Sequence, residues 1–140
     1  MTEIINQQRK IKIEAETFQR FAETAIREIA DGKIAAIAFV SDRKMCQLNR
    51  EFRGKDSTTD VLSFPFEADE FDVDDNFLGD IVISLEQAKR QAMENNLTFD
   101  LEVKQLILHG ILHLLGYDHE TDQGQMNELE LKWRENLGVG

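Results

Sequence analysis

The stretch His109-Gly110-Ile111-Leu112-His113-Leu114-Leu115-Gly116-Tyr117-Asp118-His119 holds every histidine of the chain. His109 and His113 are four residues apart, so on a helix they stack on one face. Gly116 is placed to end that helix, because glycine adopts the left-handed conformation just past a last turn without steric cost. The chain then reverses and returns His119 towards the first two rings. Three imidazoles converging on one point make a metal site with an open fourth position, the arrangement of a catalytic zinc. Upstream, Thr98 to Asp100 start the helix, and Leu101, Leu106, Leu108, Leu112 and Leu115 line it. A helix apolar on most of its surface belongs at the centre of a domain.

The spacing also matches the H-E-x-x-H-x-x-G-x-x-H pattern of zinc proteases, with one difference. The glutamate that serves as general base in that pattern is replaced by Gly110. Glycine has no side chain to take a proton, so the scaffold of a zinc hydrolase is present without the peptidase base. Asp118 and Glu120 flank His119 and are the candidates to orient a ligand or accept a proton.

Outward from this stretch, the chain reads as alternating strands and helices. Ile4 to Ile13 reads as a first strand, and Phe18, Phe21, Ala22, Ala25, Ile26 and Ile29 mark an amphipathic helix ending near Asp31-Gly32. Lys33 to Val40 is a buried strand. Ser41-Asp42 starts a helix that carries Met45, Leu48, Asn49 and Phe52 to Gly54. Val61 to Phe66 is a strand that Pro65 confines to an edge. After the acidic stretch Glu67 to Asn76, Leu78 to Ser84 is the fourth strand, and Ser84 caps the helix Leu85 to Asn96. A last helix from about Asp122 to Leu137 places Met126, Leu129, Trp133 and Leu137 on one face. The first two strand–helix–strand units imply parallel pairing. The third and fourth strands lack an intervening helix and imply an antiparallel pair. The expected fold is α+β: a four-stranded mixed sheet, about five helices and a zincin-like metal site on the central helix, in one domain spanning residues 1–140.

Composition sets further bounds. With 41% apolar and 31% charged residues the chain has an ordinary globular balance. No apolar run reaches the length of a membrane span, and the N-terminus lacks the pattern of a signal peptide. A single cysteine, Cys46, forms no internal disulfide and fits a reducing cytoplasm. The net charge of −11 argues against nucleic-acid binding by the body as a whole. Between Asp42 and Asp56, however, five basic residues outnumber three acidic ones, which allows a local basic patch.

The stretch His109 to His119 resembles the signature of the YbeY family of ribosomal-RNA maturation endoribonucleases. Leu48-Asn49-Arg50-Glu51-Phe52-Arg53-Gly54-Lys55-Asp56, with Thr59 to Pro65, resembles a second family motif. Leu78 to Ser84 resembles a third. Thr58 stands where the family often has proline. The resemblance implies a single-strand-specific metallo-endoribonuclease acting in 3′-end maturation of small-subunit ribosomal RNA and in ribosome quality control. Its zinc-binding histidines map onto His109, His113 and His119, and its functionally important arginine onto Arg53, the expected catalytic residue. One Zn2+ per chain is expected, with Ni2+ or another divalent ion as the alternative. The expected partners are single-stranded RNA, ribosomal RNA and the small ribosomal subunit, with no DNA and no membrane. Two rival readings remain: a zinc-dependent peptidase-like hydrolase, and a non-catalytic ribosome-associated metal-binding module.

Overall fold

The computed structural model describes residues 2–66, 76–117 and 124–140. Its elements run β1 Glu3–Asn6, α1 Ala15–Ile29, β2 Ile34–Val40, α2 Asp42–Arg53, β3 Val61–Pro65, β4 Phe77–Ser84, α3 Leu85–Glu94, α4 Phe99–Leu114 and α5 Gln125–Asn136. The sheet order is β1-β2-β4-β3. The β1–β2 and β2–β4 pairs are parallel, and β3 is antiparallel to β4. An α+β fold with a four-stranded mixed sheet and five helices is therefore present among the described residues.

Alternation along the strands divides the core into two layers. Ile37, Phe39, Ile81 and Ile83 point to one face, where Phe18, Ala22, Ala25 and Ile26 of α1 and Val103, Ile107 and Ile111 of α4 cover them. Val40, Leu62 and Val82 point to the other face and meet Met45 of α2. Strand β4 is buried on both faces, as its continuous Ile-Val-Ile run requires.

Two expectations are corrected. The first strand stops at Asn6 rather than continuing to Ile13. Beyond Asn6, Gln8 takes over the backbone: its Nε2 donates to the Ile11 carbonyl at 2.8 Å and its Oε1 accepts from the Ile11 N–H at 2.9 Å. Those groups no longer seek a strand partner, while Ile11 and Ile13 still pack on the core. The second strand–helix–strand unit is also not a parallel one. β2 pairs with β4 instead, and β3 takes the edge beyond it, where the missing N–H of Pro65 costs least.

Three helix starts are those the sequence marks, while α1 begins at Ala15 without a side-chain cap. The side chains of Ser41, Ser84 and Thr98 accept from the N–H groups of Lys44, Gln87 and Leu101, satisfying donors that a helix end leaves without intrahelical partners. Asp42, at the first turn of α2, ties three elements together. Its Oδ1 accepts from the Ser84 hydroxyl at 2.6 Å and the Thr58 hydroxyl at 3.1 Å, and its Oδ2 from Arg90. Thr58, the departure from the family pattern, thus has a hydrogen-bonding role. Burial alone would raise the Asp42 carboxyl; hydrogen bonds from Ser84, Arg90 and Thr58 outweigh it and hold the group below its ordinary value.

A carboxyl depressed in the folded state contributes stability that is present above the unfolded value of about 3.9 and lost as pH falls through the folded one. Asp42→Asn is expected to lower stability by about 1–3 kcal/mol at neutral pH. In urea titrations across a pH series, the gap to wild type closes as the medium becomes acidic enough to protonate Asp42.

Candidate metal centre

Helix α4 presents three surfaces. Val103, Leu106, Ile107, Ile111 and Leu114 face the sheet and α1. Leu108 and Leu112 face α5, beside Met126. Between these runs a polar stripe: Glu102, Gln105, His109 and His113, at the three- and four-residue steps that align side chains along a helix. Glu102, Gln105 and His109 line a cleft of about 690 Å3 together with Asp60, Glu130 and Arg134.

The two histidines converge. His109 Nε2 and His113 Nε2 lie 2.9 Å apart, with ring centroids separated by 4.5 Å and planes inclined at 58°. Two imidazole nitrogens this close hold either a proton or a cation between their lone pairs. Ligands at 2.0–2.1 Å from one tetrahedral ion stand roughly 3.4 Å apart, so a small ring rotation admits an ion. At its other nitrogen, His109 Nδ1 lies 2.6 Å from Glu130 Oε1. That contact fixes the ring and directs Nε2 towards His113.

The helix ends where the glycine predicts. Gly116 adopts a φ of 100°. The Gly116 N–H donates to the His113 carbonyl at 3.0 Å and the Tyr117 N–H to the Leu112 carbonyl at 3.1 Å. This crossed pair is the Schellman closure, which caps the last turn and redirects the chain. His119, Asp118 and Glu120 lie outside the described residues. Among the described residues, no group of three His, Cys, Asp or Glu side chains forms a metal site.

Gly110 has a packing role. A Cβ built there would lie 2.8 Å from Ile81 Cγ2 and 3.0 Å from Ile81 Cδ1. The position where the protease pattern needs a glutamate is the position where α4 presses on β4. A glutamate has no room, so the missing peptidase base and the tight helix–sheet contact are one fact.

Arg53 ends α2 and is exposed. Helix α2 packs Met45 on the sheet face opposite to the one that α4 covers. Arg53 makes no ion pair among the described residues; Asp56 is taken by Arg50 at 3.1 Å, and Asp60 Oδ1 accepts from the Val61 N–H at 2.7 Å. The contact missed by sequence reading is Glu130. Its signal was a charged residue four positions from both Met126 and Arg134, beside the apolar stripe of α5.

The family model for endoribonuclease YbeY matches residues 3–138. The chain belongs to the YbeY family. A Solibacter usitatus member named endoribonuclease YbeY is 46% identical over 86% of this chain and 78% of its own length. A Carboxydothermus hydrogenoformans member of the same name is 43% identical over 99% of both chains. The solution structure of a Thermotoga maritima protein superposes with a TM-score of 0.68 at 30% identity, covering 98% of this chain and 89% of that one.

Gly110→Ala is expected to cost about 1–3 kcal/mol by overpacking, measured as a lowered urea midpoint. Gly110→Glu is expected to misfold rather than gain chelator-sensitive peptidase activity.

Proposed function

We propose that this chain is a metal-dependent endoribonuclease that cuts single-stranded RNA. Its proposed role is 3′-end maturation of small-subunit ribosomal RNA and ribosome quality control in the cytoplasm, with ribosomal RNA and the small ribosomal subunit as partners. The observation that carries this reading is the pair of converging Nε2 atoms on α4, one ring braced at Nδ1 by a carboxylate, in a family whose members are named endoribonucleases. No helix among the described residues is long and apolar enough to cross a membrane.

His109 and His113 would hold the ion, Zn2+ by preference or another divalent cation, with His119 as the proposed third ligand. When bound, such an ion polarises a phosphoryl oxygen and lowers the pKa of coordinated water. Arg53 presents a guanidinium that matches phosphate oxygens in a two-pronged geometry. It is the proposed catalytic residue, stabilising the charge that develops on the phosphate. Asp118 and Glu120 remain the proposed groups for orienting His119 or moving a proton. The peptidase alternative meets the obstacle of Gly110 packed on Ile81. The non-catalytic module is the reading that loss-of-cleavage variants decide.

His109→Ala and His113→Ala are each expected to reduce single-stranded RNA cleavage by more than the roughly 100-fold that loss of an outer ligand partner costs, and to lower zinc content. Arg53→Ala is expected to reduce cleavage about 10- to 100-fold, one charge-assisted hydrogen bond's worth, with Tm and zinc content near wild type. Chelator-sensitive peptide cleavage with intact RNA would overturn the nuclease reading. Metal-loaded protein that cleaves neither substrate would favour the non-catalytic module.

A further inference from the structure

Glu130 projects from α5 into the cleft beside α4, and its side chain is only 7% exposed. A carboxylate buried this far is stable only when its oxygens are engaged by donors. Oε1 lies 2.6 Å from His109 Nδ1, and Oε2 accepts from Arg134 Nη2 at 3.1 Å. Arg134 lies one turn further along α5 and pairs with Glu130 at 3.1 Å. The other side of this chain of contacts is anchored too. Gln105, one turn before His109 on α4, donates to the Val139 carbonyl at 2.6 Å, and the Val139 N–H donates to the Arg134 carbonyl at 2.8 Å. Residues 134–139 are thus pinned to the same helix that carries the histidines. The packing of Leu108 and Leu112 on Met126 fixes the spacing between α4 and α5.

We propose that Glu130, held by Arg134, is a positioning residue of the metal centre. It accepts the Nδ1–H of His109, selects the tautomer with its lone pair on Nε2, and sets the ring's direction towards His113. Arg134 acts one step further out, through Glu130. The proposal rests on the metal reading of His109 and His113 and adds to it the groups that orient one ligand. It also assigns α5 a function beyond core packing.

The test uses full-length protein and Zn2+ in competition with a chromophoric chelator. Zinc affinity is expected to fall about 10-fold in Glu130→Gln, which keeps an acceptor without charge, and towards 100-fold in Glu130→Ala. Arg134→Gln is expected to fall between wild type and Glu130→Ala. A second readout needs no metal. Long-range 1H–15N spectra of the zinc-free protein, above the ordinary imidazole titration range, should place the His109 proton on Nδ1 in wild type. In Glu130→Ala it should shift towards Nε2. Circular dichroism identifies folded variants, and Glu130→Gln carries the comparison if Glu130→Ala does not fold. Wild-type zinc affinity in folded Glu130 variants, or an Nε2–H tautomer of His109 in the wild-type protein, overturns the proposal. Zinc binding that His109→Ala leaves unchanged overturns the site reading beneath it instead.

Discussion

The close approach of α4 to β4 is the constraint on which the rest depends. Gly110 sits over Ile81 with no room for a Cβ, so the helix beds down on the sheet along its length. Ten residues of α4 are buried, and this is what makes a helix carrying a polar stripe tolerable inside the fold. Once its apolar sides are committed to the sheet, α1 and α5, Glu102, Gln105 and His109 of the stripe line the cleft beside α5. The histidine geometry is therefore a consequence of packing. Gly79 enforces a similar fit nearby: a Cβ there would meet the Phe64 carbonyl at 2.2 Å and Leu114 at 2.9 Å.

Local signals in the sequence translated into structure where one residue's chemistry decides the outcome. Ser41, Ser84 and Thr98 read as caps and act as caps. Gly54 and Gly116 read as helix stops and take positive φ. Pro65 placed β3 at an edge. The failures share another cause. Gln8 ends β1 through side-chain bonds to the backbone that no periodicity reports. The neighbour of β2 is decided by which strand is apolar on both faces, and this is a property of the whole sheet. Glu130 was invisible because its partner His109 is 21 positions away; only the docking of α5 on α4 brings the pair together.

The chain is acidic overall, with net charge −11, and the cleft beside His109 is itself rich in carboxylates. Such a cleft favours a cation.

Zinc K-edge X-ray absorption of the zinc-loaded, full-length protein tests the central claim most directly. Three imidazole nitrogens and one further light atom at about 2.0–2.1 Å are predicted, with no sulfur at about 2.3 Å. Absence of imidazole scattering, or a sulfur ligand from Cys46, would contradict it.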